Sequence, residues 1–247
     1  MSGHSKWHSI KHKKGIADAK RGKIFTRHAN LISIAARSGG DPEMNPALRL
    51  AIDNAKKDNV PNGNIEKAIR RGTGEDKDAA QIEEVIYEGY GPGGTAVLVE
   101  CLTDNTNRTY TNIRTAFNKG GGNLGKTGVV AWMFDRKGVI TLKENSDEAE
   151  LAAIDAGAED IERDDDGMEV YTSPGDLTVV AGKLKEAGYE AEQAEVQMIP
   201  NQTVKIEDEA TARKILNFME ALDDDADVSN VSGNFDISEE LMEKIES

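Results

Sequence analysis

Along residues 23–37 (KIFTRHANLISIAAR), Ile24, Phe25, His28, Leu31, Ile32 and Ala35 recur at spacings of three and four, while Lys23, Arg27, Asn30 and Arg37 fall on another stripe. That periodicity predicts an amphipathic helix with a basic outer face. The pattern stops at Ser38-Gly39-Gly40-Asp41-Pro42. Asn45 followed by Pro46 is start chemistry for a second helix, with Leu48, Ile52 and Ala55 as its apolar face. A third helix is expected from about Asn64, after Pro61-Asn62-Gly63, running through IEKAIRR until Gly72 ends it. Three short amphipathic helices with short links predict a small bundle whose exposed faces are basic.

Beyond the polar stretch GTGEDKD the period changes to that of strands. EEVIYEGY and TAVLVECL, joined by Gly91-Pro92-Gly93-Gly94, predict a hairpin or tight loop. Asp104 is placed to cap a helix over NTNRTYTNIRTAFNKG, with Ile113, Ala116 and Phe117 inward. The glycine loop GGGNLGKTG then leads into an expected strand, VVAWMF.

From Gly138 the order is strand (GVITL), helix (SDEAELAAIDAG), two strands (AEDIER and MEVYTS) around Asp164-Asp165-Asp166-Gly167, a helix opened by Pro174, and a strand in AEQAEVQMIP. βαββαβ is the split unit of ferredoxin-like domains. The tail adds TVKI, a helix over roughly 208–222, a strand in VSNVSGNF and a terminal helix. These are too few to make a domain alone and are expected to pack back on residues 80–134. The fold class is therefore α+β multidomain. Residues 1–79 form a basic three-helix domain with a flexible N-terminal arm, 80–134 plus 201–247 an α/β domain, and 135–200 an inserted ferredoxin-like domain.

Composition adds one strong asymmetry. The 247-residue chain carries a net charge of −15, yet residues 1–74 hold fifteen Lys and Arg against six acids, a local +9 that leaves the remainder at −24. All four histidines lie within the first twenty-eight residues. Segregation of this kind points to a polyanion-binding end, with the acidic body kept away from the polyanion. Trp7 beside Lys6 and His8 offers a stacking surface among cations. Ser2, Gly3, Ser5, Ser9 and Gly15 suit an arm that orders on contact with a phosphate backbone. The single cysteine, Cys101, lies in an apolar run and implies a reducing, cytoplasmic setting with no disulfide framework. No run approaches the ~20 apolar residues of a membrane span.

Several motifs spell chemistry without supplying its context. Gly120–Thr127 (GGGNLGKT) fits the phosphate-loop pattern at every fixed position. Such a loop works when it follows a strand and opens a helix, so that convergent amides and the helix dipole face the anion. Here a helix precedes it and a strand is expected to follow, which leaves a nucleotide-dependent enzyme as a remote alternative. His4, His8 and His12 are four apart but lack a Cys or carboxylate shell, so no metal is expected. The acidic runs DDDG and ALDDDAD miss the twelve-residue calcium register. With no Ser-His-Asp set and no paired carboxylates, no catalytic residue and no cofactor are assigned, and the protein reads as a non-enzyme.

Gly3-His4-Ser5-Lys6-Trp7, AKRGKIFT (19–26), GGDPEMNPALR (39–49), YEGYGPGGTA (87–96), DNTNRT (104–109), GGNLG (121–125) and AEVQMIP (194–200) together resemble the YebC/PmpR family over nearly the whole chain. The resemblance implies a helical N-terminal domain, an α/β domain and a ferredoxin-like insertion. It also implies one of two functions: a DNA-binding transcriptional regulator, or a translation factor acting on the ribosome, as described for mitochondrial relatives. A major-groove reader presents a recognition helix, usually in a symmetric dimer. The third helix is short, has no Asn or Gln past its start, and no dimer seam is visible, so a monomer docking on ribosomal or transfer RNA is the expectation, with DNA as the alternative. The nucleic-acid-binding residues expected are His4, Ser5, Lys6, Trp7, His8, Lys11, His12, Lys13, Lys14, Lys20, Arg21, Lys23, Arg27, Lys67, Arg70 and Arg71. Arg108, Arg114 and Lys119 are expected as secondary phosphate contacts.

Overall fold

The computed structural model describes residues 18–164 and 167–246, without the side chains of residues 18–20, 239 and 246. It divides into two compact units, one of residues 135–199 and one formed by the chain on either side of them.

In the flanking unit three helices come first: α1 (Asp18–Ala36), α2 (Pro46–Lys57) and α3 (Asn62–Thr73). They enclose Ile32, Ala36, Leu48, Ile52, Ala55, Val60, Ile65 and Ala68, with Phe25, Ala29 and Ile69 at the margin. Asn45 starts α2 as expected: its side-chain oxygen accepts the Leu48 N–H at 3.1 Å. Its amide also donates to the Ala35 and Gly39 carbonyls, at 2.8 and 2.9 Å, binding the end of α1 to the start of α2. Gly72 does not end α3; Gly74 does, in the left-handed conformation. At Gly72 a Cβ would run into the Ser33 carbonyl oxygen and would lie 2.7 Å from the Ala36 Cβ. The residue is glycine so that α1 and α3 can touch, and Ser33 Oγ donates to the Ala68 carbonyl at 2.9 Å across the same contact.

The sheet of this unit has the order β3-β1-β2-β9, from β1 (Glu83–Tyr90), β2 (Ala96–Thr103), β3 (Asn123–Leu124) and β9 (Val228–Gly233). Its neighbours are antiparallel, with Tyr87 opposite Val99 and Val99 opposite Val231. Helices α4 (Thr106–Gly120) and α7 (Glu209–Asp223) pack on the face carrying Val97, Val99 and Cys101. There the Phe117 and Phe218 rings meet edge to face at 5.0 Å. Each such fully buried ring contributes about 1.5–3 kcal/mol. Leu98 on the opposite face is buried too, so β2 is covered on both sides and only Glu100 within it is half-buried. A parallel pair, β8 (Val204–Ile206) with β10 (Phe235–Ile237), and helix α8 (Glu239–Glu246) complete the unit.

Two local expectations fail here. The cap of α4 is Asn105, whose side chain accepts from the Arg108 N–H at 3.1 Å, and not Asp104. VVAWMF is not a strand. Ala131–Met133 form a 3-10 turn, and β4 runs from Phe134 to Leu142.

In the unit of residues 135–199 the elements are β4, α5 (Asp147–Ala156), β5 (Asp160–Asp164), β6 (Gly167–Thr172), α6 (Leu177–Glu186) and β7 (Gln193–Pro200). The sheet order is β5-β6-β4-β7, with β6 antiparallel to both β5 and β4. Ile140, Leu142, Val170, Ala149, Ala153, Val180 and Leu184 are buried within it. Helix α6 begins three residues after Pro174 because Ser173 and Asp176 first close a turn, Ser173 Oγ donating to Asp176 Oδ2 at 2.7 Å.

Candidate nucleic-acid interface

Of the predicted contacts, His4, Ser5, Lys6, Trp7, His8, Lys11, His12, Lys13 and Lys14 lie outside the described residues, and of Lys20 only the backbone is described. All the rest but Arg27 fall into two groups. Arg21, Lys67, Arg70, Arg114 and Lys119 are exposed. Lys23, Arg71 and Arg108 are held by acids of the protein itself.

Lys23 shows how. Its side chain is only 20% exposed, and Nζ donates to the Asp223 carbonyl and lies 3.5 Å from Asp224 Oδ1. A cation at the C-terminal end of α7 opposes the negative pole of that helix. Burial pushes the Lys23 ammonium below its ordinary pKa, against the pull of Asp223, Asp224 and Asp225. Arg71 donates to the Ala80 carbonyl at 2.8 Å and stands 3.6 Å from Asp104. Arg108 is gripped by Asp227, with contacts of 2.7, 2.8 and 3.1 Å, and by Asp104 at 3.1 Å. The pairing with Asp227 raises its pKa further, so it stays a fixed cation. Arg27 is half-buried.

These bonds fasten the three helices to the sheet. Asn30, placed by its periodicity on the exposed stripe, is instead buried and donates to the Leu102 carbonyl at 2.9 Å. Arg37 donates to the Ile82 carbonyl. His28 is buried as well, with Nε2 2.6 Å from Asp58 Oδ2.

Apart from Arg21 on α1, the exposed cations of the prediction lie on α3 and α4. Among the described residues the side chains of Lys67, Arg70, Arg114 and Lys119 have no hydrogen-bond or ion-pair partner, so they stay available to an anion. Sequence reasoning left out Lys56, exposed in the last turn of α2, and Lys126, exposed in the glycine loop. Both were legible as cations beside a helix end or turn.

The phosphate-loop motif has a different physical content. No α-helix opens from it, and the amides that gather just beyond it are already occupied. Glu88, 4% exposed, accepts from Gly128 N–H at 2.7 Å with Oε1, and from Val130 and Ala131 N–H at 2.9 and 2.8 Å with Oε2. Burial pushes the Glu88 carboxyl up, but these amides outweigh it and hold it below its ordinary value. The nest that an anion would need exists, and a carboxylate of the chain fills it. The glycines answer to packing: a Cβ on Gly120 would strike the Phe218 ring, and one on Gly122 would come 2.6 Å from the Tyr90 carbonyl oxygen.

Among the described residues no group of three His, Cys, Asp or Glu side chains is placed to hold a metal. Cys101 is buried, and burial drives its thiol pKa upward. No helix among the described residues is long and apolar enough to cross a membrane.

Residues 5–75 match the TACO1/YebC protein N-terminal domain, and residues 82–235 match the TACO1/YebC second and third domain. The chain belongs to the TACO1/YebC family. A TACO1/YebC relative from Geobacter sulfurreducens, named a probable transcriptional regulatory protein, is 51% identical over 99% of this chain and 100% of its own length. One from Halothermothrix orenii bearing the same description is 49% identical over 99% of each chain. Among solved structures, a conserved hypothetical protein of Aquifex aeolicus superposes with a TM-score of 0.86 at 47% identity, covering 93% of this chain and 96% of its own.

Proposed function

We propose that this TACO1/YebC chain is a non-enzymatic gene-expression factor that docks on ribosomal or transfer RNA through its basic N-terminal arm and helices. The observation that carries the reading is the sorting of charge. Lys56, Lys67 and Arg70 stand exposed on the helical bundle, while the segment they belong to is +9 in a chain of −15. Affinity for nucleic acid is dominated by phosphate neutralisation, and a −24 remainder repels the same phosphates, so the protein meets its target bundle first. In this reading residues 1–79, 80–134 plus 201–247, and 135–200 act as three domains, the last ferredoxin-like, in a monomer that works in the cytoplasm. The strand order of the 135–199 unit supports that assignment.

The descriptions of the relatives favour a second reading, a DNA-binding transcriptional regulator using the same face. It requires a site bound about 10³-fold or more above random duplex. Sedimentation of the full chain through sucrose decides between them. The RNA reading expects the protein with ribosomes at low salt, released at high salt, and lost on deletion of residues 2–21. Protein that stays at the top of the gradient, or that pellets equally well without those residues, overturns it.

A further inference from the structure

Residues 105–128 contain Arg108, Arg114, Lys119 and Lys126 and not one Asp or Glu, in a chain where acids outnumber bases 45 to 30. The segment is α4 with the loop that follows it. The structure separates its two flanks. On one, Arg108 pairs with Asp227 at 2.7 Å and Asn112 donates to Asp225 at 2.8 Å, so both are occupied there. Along the other flank Asn107, Tyr110, Thr111, Arg114 and Asn118 are all exposed at three-and-four spacing, a stripe about 16 Å long.

Tyr110 is an unusual residue to leave outside. It is 45% exposed although its ring rests on Tyr87, with centroids 6.2 Å apart. The contact fixes the ring while a face stays open, which is the arrangement a stacking platform needs. Arg114 is one helical turn on, Lys126 is exposed two residues beyond β3, the strand paired with the one that carries Tyr87, and Asn107 and Asn118 offer amides able to bond sugars or base edges. The surface adjoins the bundle, because Arg71 of α3 reaches Asp104 beside the α4 start.

We propose that the Tyr110 flank of α4 is a second nucleic-acid contact that binds single-stranded RNA, Tyr110 stacking on a base while Arg114 and Lys126 take phosphates. A fixed aromatic flanked by cations and amides matches an unpaired strand, whose bases are free to stack. A duplex keeps its bases inside and gives Tyr110 nothing to bind. Arg108 plays no part, since Asp227 and Asp104 hold it. The inference deepens the reading above and rests on RNA being the partner.

Fluorescence anisotropy of the full chain with a labelled oligouridylate of about twelve nucleotides tests it. For a single strand the salt slope changes by about 0.7 per phosphate contact. The double variant Arg114→Ser/Lys126→Ser therefore lowers the slope by about 1.4 and weakens binding about 25-fold at 0.1 M salt. Tyr110→Ala weakens it about tenfold, and Tyr110→Phe restores it. The control double Lys77→Ser/Lys185→Ser removes the same charge from exposed sites elsewhere. Equal effects of the two doubles, wild-type binding by Tyr110→Ala, or tighter binding of duplex DNA than of oligouridylate each overturns the proposal. Deletion of residues 2–21 separates the two ideas. If it abolishes ribosome sedimentation while the Arg114/Lys126 double variant binds oligouridylate normally, the docking reading survives and this one fails.

Discussion

Replacing Glu88 with alanine removes one carboxylate and strands three amides of the loop that follows β3. The acceptor is 4% exposed, and its bonds to Gly128, Val130 and Ala131 are 2.7–2.9 Å long. A hydrogen bond to a charged group contributes about 1.5–3 kcal/mol, which puts three at about 5–9. Gly128 is exposed and can turn to water, whereas Val130 is fully buried and cannot. Discounting for that relaxation, the expected loss is about 3–5 kcal/mol. At about 2–4 °C per kcal/mol for a body of this size, Tm falls by about 6–20 °C. Calorimetry supplies the number, and pH supplies the mechanism. The folded pKa of Glu88 lies below its unfolded value, so its contribution is complete at neutral pH and disappears as pH drops through the folded value. Glu88→Gln keeps one acceptor oxygen but turns an NH2 on an amide donor. Its deficit against wild type should be largest at neutral pH and narrow in acid. A loss under about 1 kcal/mol for Glu88→Ala, or a Glu88→Gln deficit that grows in acid, would refute the idea that this carboxylate holds the loop.

Two further outcomes are expected. Gly72→Ala gains up to about 1 kcal/mol of helix propensity, yet its methyl meets the Ser33 carbonyl and Ala36, at an overpacking cost of about 1–3 kcal/mol, so urea unfolding should show a net loss. Arg108→Ala leaves Asp227, whose side chain is 8% exposed, with only the Thr109 hydroxyl, at 2.8 Å, among the described residues; the half-exposed arginine puts the cost at about 2–3 kcal/mol, with Arg108→Lys intermediate in a thermal melt.

Local signals in the sequence carried far where the cause was local. Asn45-Pro46 marks the start of α2, and Leu48, Ile52 and Ala55 are its buried face. The helices over 106–120 and 209–223 likewise sit where their apolar periods put them. Errors arise where a distant partner decides. VVAWMF has strand composition, but Glu88, some forty positions earlier, gathers its amides into a turn. Asn30 lies on a polar stripe and is nonetheless drawn inward by the Leu102 carbonyl. Gly72 looks like a terminator until Ser33 is seen against it. The candidate interface was legible as a surplus of cations. Which of them face outward was not, because Lys23, Arg71 and Arg108 meet acids that the sequence places far from them or on another element.

Where the chain leaves the flanking unit and where it returns, the two passages are tied to each other. The Asn201 N–H donates to the Met133 carbonyl at 2.9 Å, and its side-chain amide to the Trp132 carbonyl at 3.2 Å. Departure and return thus form a closed neck, and the ends of the intervening segment are already held together whatever lies between them. Its length is then nearly free to drift by insertion or deletion, because the entropy of bringing the ends together grows only with the logarithm of the loop. The architecture behaves like a ring with a clasp, able to hang cargo of different sizes without retying the knot.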